Sequence, residues 1–322
     1  MIRYALAFLA ILLTGLPGAS RAETAPGPSP AGPSKVVVGT YVNQITGVNL
    51  RDNQVNVDFY VWFRWDDDSL NPLETFELMN GRIESRTPTP VRKLKDTNYG
   101  QARIQAVLNQ PWDVSRFPLD TQTIRLVIED SDQTAEYVVY VPDIDNSTVD
   151  PDVDVSGYTL INNGATISAH HYRTNYGDIT LPKNHESVYS RYTHAITLER
   201  PDSVYYIKTF STIFISSLVA FLAFLVKPVD LDPRFGLGIG ALFAVVACYF
   251  VIASDLPRSS GFTLSDRVNL ASMGMIFLSL MQSAVSLMIY ERNAAKALIL
   301  DRWSLVIFPV AYALLCVWLT TV

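Results

Sequence analysis

Four apolar runs after Pro201 constrain this chain more than any other feature. Residues 204–226 hold a single charge, Lys208, while 235–253, 268–290 and 303–322 hold none. A helix of about 19 residues is about 28 Å long, enough to cross the hydrocarbon core of a bilayer. None of the four runs has the polar face that a helix on a soluble protein needs. The economical reading is four membrane helices filling residues 202–322, with the lipid bilayer as their first partner.

The preceding part has another character. Val55, Val57, Phe59, Val61, Phe63 and Trp65 alternate with Asn56, Asp58, Tyr60, Trp62 and Arg64. A period of two turns one face of a strand to a core and the other outward. Further strands are expected at 36–42, 102–108, 123–129, 136–141, 158–173 and 188–198. Seven or more short strands with polar turns between them predict an all-β, immunoglobulin-like sandwich over residues 35–201. Residues 23–34, rich in Pro, Ala, Gly and Ser, read as a flexible arm. Residues 1–22 read as a signal peptide, with Arg3, an apolar run from Tyr4 to Leu16 and a small-residue cleavage site at Ser20-Arg21-Ala22.

Export of the sandwich sets the orientation. The first and third connections between spans then face the cytoplasm, and they carry Lys227, Arg234, Arg292, Lys296 and Arg302. The outer connection carries only Arg258 and Arg267, as the positive-inside tendency requires. A bacterial inner membrane with the N-terminal domain outside is the expected location. Net charge is −6 and charged residues make up 17% of the chain, which excludes a nucleic-acid binder. The two cysteines, Cys248 and Cys316, both lie in expected spans, so the exported domain has no internal disulfide. No nucleophile elbow, zinc spacing or phosphate loop is present, so an enzyme is not expected.

Four local motifs resemble the pentameric ligand-gated ion channels, the Cys-loop receptor superfamily. Residues 57–66, Val-Asp-Phe-Tyr-Val-Trp-Phe-Arg-Trp-Asp, look like that family's second strand. Phe117-Pro118-Leu119-Asp120 matches the centre of its signature loop. Leu256-Pro257-Arg258-Ser259-Ser260 is similar to the outer end of its second membrane helix, and Asp301-Arg302-Trp303-Ser304 with Phe308-Pro309 to the start of its fourth. Gln110 and Ile124 stand at the positions of the loop's cysteines. That missing bond and the short connection 291–301 resemble the bacterial members. The resemblance implies a homopentamer opened by a stimulus on the outer domain, with a small ligand or a proton as agonist.

On the second span, Asp232, Gly236, Gly240, Phe243, Ala247, Phe250 and Ser254 recur at a mean spacing near 3.6 and so share one stripe. Counting back from Pro257, the resemblance makes this stripe the pore lining. Five Asp232 carboxylates at the inner mouth would attract monovalent cations and repel anions, and crowding would make them hold protons more tightly. Phe243 and Phe250 land on the two apolar gate levels, where water avoids the constriction. Arg234, two residues from Asp232, should point away from the stripe. The competing reading is a helix-packing face built of small residues.

The resemblance also assigns coupling to Arg200, with Asp120 and Asp52 as its acidic partners, and to Phe117, Pro118 and Pro257. Thr212 stands where many members carry a proline in the first membrane helix. For the ligand box the resemblance points to Phe59 on the second strand and to Tyr172, Tyr176 and Tyr189 on a capping hairpin. His170, His171 and His185 lie nearby. The tryptophan-proline pattern of the first binding loop is not visible in residues 76–86.

Asp143, Asp145, Asp150, Asp152 and Asp154 form an acidic run whose spacing partly resembles a calcium loop, with the glycine misplaced and Ile161 in place of the closing glutamate. No resident cofactor is expected; calcium modulation through these acids is the hypothesis, and a solvated acidic loop is the alternative. Two other functions compete: a membrane sensor that conducts nothing, and a small-solute transporter. A transporter should carry more polar residues within its spans than are seen here.

Overall fold

The computed structural model describes residues 32–177, 179–182, 184–200, 202–258 and 261–321. The expected leader at 1–22 and the arm up to residue 31 lie outside the described residues, as do Ser259 and Ser260.

The alternation in the sequence becomes two facing sheets. In one, β4 (Gly81–Pro88), β6 (Thr97–Asn109), β2 (Gln54–Trp65), β1 (Ser34–Asn49) and β8 (Val138–Pro142) lie side by side. The short β5 (Arg92–Leu94) pairs with β6, and β9 (Thr148–Val149) with β1. The other sheet runs β10 (Thr159–Tyr172), β11 (Ser187–Glu199), β7 (Thr121–Asp130) and β3 (Phe76–Leu78). A short α1 (Pro72–Thr75) precedes β3. Every second residue of β2, from Val55 to Trp65, is buried, and these side chains meet Ile124, Leu126, Tyr192 and Ile196 of the facing sheet in one apolar core.

Each expected strand is present. The short β3, β4, β5 and β9 add to the expected set: β3 and β9 are only three and two residues long, too short for an alternation to stand out, and β4 and β5 bury no side chain at all. β1 also starts earlier than expected, at Ser34, whose N–H donates to the Tyr137 carbonyl and whose hydroxyl donates to Asp67.

Four long helices follow: α2 (Asp202–Phe221), extended by a 3₁₀ turn at Leu222–Leu225, then α3 (Leu231–Ser254), α4 (Leu264–Arg292) and α5 (Ala294–Thr321). All four are long and apolar enough to cross a membrane. The chain is therefore a β-sandwich followed by a four-helix transmembrane domain. α2 runs unbroken through Thr212. α4 opens with a capping box, in which Thr263 accepts from the Asp266 N–H while Asp266 accepts from the Thr263 N–H; this satisfies two orphan donors at the helix start. α3 packs against α2 and α4, and α5 against α4, α2 and the 3₁₀ turn. An aromatic seam of Phe210, Phe214, Phe221, Phe224, Phe308 and Tyr312 joins α2 and its 3₁₀ extension to α5.

Candidate functional site

Helix α3 divides cleanly into two faces. Asp232, Gly236, Gly240, Phe243, Ala247, Phe250 and Ser254 are all exposed, Phe243 at 71% and Phe250 at 67%. Arg234, Gly238, Ala241, Val245 and Ile252 are buried against the rest of the bundle. A 3.6-residue period separates the two sets, as the stripe required. The glycines divide the same way. A β-carbon on Gly236 or Gly240 would meet nothing within 4 Å, whereas one on Gly238 would run into the Leu280 side chain of α4. Of the three, Gly238 is thus the packing glycine, and the stripe is left open.

Arg234 is turned fully inward. Its Nη1 and Nη2 donate to the two carboxylate oxygens of Asp301 on α5 at 2.9 and 2.7 Å, and Nη1 also donates to the Val226 carbonyl at 2.7 Å. Gln282 of α4 donates to Asp301 Oδ1 at 3.0 Å. The forked, two-point geometry is the one a guanidinium makes best with a carboxylate. The first and third connections carry Arg234 along with Lys227, Arg292, Lys296 and Arg302, and of these Arg234 is buried and its charge paired with Asp301.

At the foot of the sandwich, Arg200 is enclosed. Its Nε donates to Asp120 Oδ1 at 2.8 Å and its Nη2 to the Tyr158 hydroxyl at 2.6 Å, while the guanidinium carbon lies 4.2 to 5.2 Å from the ring centres of Tyr158, Tyr205 and Phe117. Gln122 donates to the other Asp120 oxygen. Burial pushes the Tyr158 phenol well above its ordinary value, so it remains a neutral partner. Asp52 does not join this cluster. It sits exposed at the β1–β2 turn, hydrogen-bonded to Asn49. Asp52 and Arg200 do line one cavity of about 760 Å³. Asp52 and Pro257 line a second, of about 430 Å³, at the Ser254 end of α3.

The loop carrying Phe117 and Pro118 also reaches the helices directly. The Ser115 carbonyl accepts from the Leu264 N–H at the start of α4, and Arg116 donates to the Thr320 carbonyl near the end of α5.

The expected ligand residues separate. Phe59 is fully buried in the sandwich core, so it cannot line a surface site; the alternation that identified its strand points it inward. Tyr172, Tyr176 and Tyr189 do come together, with Tyr172 6.1 Å from Tyr176 and 5.5 Å from Tyr189 between ring centres, and His170 edge-on to Tyr172 at 4.5 Å. Behind them lies a buried carboxylate that the sequence reading missed. Glu129 accepts from the Tyr172 hydroxyl at 2.9 Å and is paired with Arg191. Its only sequence signal was an acid at the inward end of an apolar strand. Partial burial, with the Glu129 hydrogen bond, raises the Tyr172 phenol pKa.

The acidic run does not form one centre. Asp143 accepts from Trp62 Nε1 and Arg64, while Asp150 accepts from the Tyr41 hydroxyl and the Asp152 N–H. Those hydrogen bonds hold Asp150 below its ordinary pKa, the Asp152 N–H contributing most. Asp145, Asp152 and Asp154 are exposed. Among the described residues, no group of three or more His, Cys, Asp or Glu side chains is placed to hold a metal ion.

The chain matches no protein-family model, and no curated protein matches it either.

Proposed function

We propose that this chain is one subunit of a homopentameric, cation-selective ligand-gated ion channel in a bacterial inner membrane, with its sandwich outside the cytoplasm. One observation carries the reading: all seven residues of the Asp232–Ser254 stripe lie on the single open face of α3, and the nearest basic residue, Arg234, is turned away from it. Five such faces around an axis put carboxylates at the inner mouth and phenyl rings midway. Such a path favours monovalent cations and closes by dewetting at Phe243 and Phe250. A small ligand or a proton acting on the outer domain is the stimulus. The Arg200–Asp120–Tyr158 cluster and the contacts of the Phe117–Pro118 loop with α4 and α5 would relay it to the helices.

Purified protein in a planar bilayer tests this. Current carried by sodium or potassium under a salt gradient is expected, and Asp232→Ala should shift the reversal potential toward the anion side. Silence under acid, amine and neutral-ligand trials would favour a non-conducting sensor on the same scaffold. An assembled particle with any number of protomers other than five would overturn the arrangement.

A further inference from the structure

We propose that Asp301 on α5 is a selectivity-positioning residue: it neutralises the Arg234 guanidinium behind α3, so that the field at the inner mouth belongs to Asp232. This rests on the channel reading above.

Arg234 lies two residues from Asp232, at the same level along the helix axis to within about 3 Å. A free guanidinium there would oppose the carboxylate across so short a distance. Arg234 is fully buried and Asp301 nearly so, and the pair is two-pronged. Gln282 holds Asp301 from the α4 side, and the Val226 carbonyl holds Arg234 from the loop before α3. Three helices and a loop therefore converge on one ion pair beside the proposed ion path. Asp301 is the only acid in α5, and each subunit needs it for its inner end to carry the Asp232 charge uncancelled. If Asp301 is made neutral, one positive charge per subunit is released at that level, whether the guanidinium stays in place or swings outward.

The test is the cation-to-anion permeability ratio of the purified full-length protein in planar bilayers under a sodium chloride gradient. Asp301→Asn should lower the ratio by about tenfold, since a fivefold ring of uncompensated charge acts on both ions with opposite sign. Asp301→Glu, which keeps the carboxylate, should stay near the wild-type ratio. Arg234→Gln in the Asp301→Asn background should restore it, because the released charge is gone. Arg234→Gln alone should hold or raise the ratio. A purely structural ion pair predicts instead that both single variants change the channel in the same direction.

An Asp301→Asn channel that conducts with the wild-type ratio would overturn the proposal. If Asp301→Asn does not assemble, a fall in the ratio for Arg234→Gln alone would overturn it too. A wild-type protein that passes no current would instead count against the channel reading itself, a result separate from these.

Discussion

Arg200 and Asp120 meet at 2.8 Å with their side chains 6% and 1% exposed, at the place where the sandwich gives way to the first membrane helix. A charge pair this enclosed has already lost its water. Its value lies in being complete: removing either partner leaves the other charge buried and alone.

Arg200→Gln or Asp120→Asn should therefore destabilise the protein by about 3–5 kcal/mol, the usual cost of breaking a buried pair. Tyr158→Phe removes one hydrogen bond to the same guanidinium and should cost less, about 1.5–3 kcal/mol. Asp52→Asn, at an exposed turn, should leave stability within about 0.5 kcal/mol of wild type. Thermal melts of the purified protein in detergent rank the four variants.

A second test concerns pH. His194 is fully buried, with Nδ1 2.8 Å from the Thr40 hydroxyl, which in turn lies 2.8 Å from the Tyr192 hydroxyl. Burial lowers its pKa from the ordinary 6.5 to about 4, so the native state keeps the ring neutral. Above pH 6.5 both folded and unfolded rings are neutral and the contribution is whole. Between 6.5 and 4 the unfolded chain binds a proton that the native state refuses. Stability should fall across that window by about 3 kcal/mol in total and level off below it. His194→Gln should flatten that part of a melting-temperature profile against pH.

In the proposed pentamer Phe243 would set the resting state, because an apolar ring of exposed phenyl groups excludes water without a plug. Phe243→Ser should raise current in the absence of any stimulus by about tenfold or more, since a hydroxyl at that level wets the constriction. A variant as silent as the wild type at rest would move the gate elsewhere, Phe250 being the next candidate.

The acids of residues 143–154 yield a prediction of the opposite kind. Because Asp143 and Asp150 are each engaged by protein donors, millimolar calcium should leave the melting temperature unchanged. Asp143→Ala should instead lower stability by about 1–3 kcal/mol, through the lost Trp62 and Arg64 hydrogen bonds. A rise in melting temperature with calcium would reinstate a site there.

The tyrosine cluster was only half legible beforehand. The resemblance places Tyr172, Tyr176 and Tyr189 on one hairpin, but Glu129 and Arg191 behind them belong to β7 and β11 and meet only when those strands pair. Phe59 shows a different limit. The alternation of its strand already turns it inward with Val57 and Val61, and only the resemblance assigns it to a surface box.

By itself, the sequence determined the two-part architecture, because apolar length and strand alternation are local and periodic. It also determined which residues share the open stripe of α3, since helical angles follow from spacing alone. Only the tertiary structure decided where the charges go. Arg234 and Asp301 are 67 residues apart and Arg200 and Asp120 are 80 apart. Nothing periodic joins such pairs; the packing of α3 and α5 on α4, and the antiparallel pairing of β7 with β11 that sets Thr121 opposite Glu199, bring them within hydrogen-bonding reach.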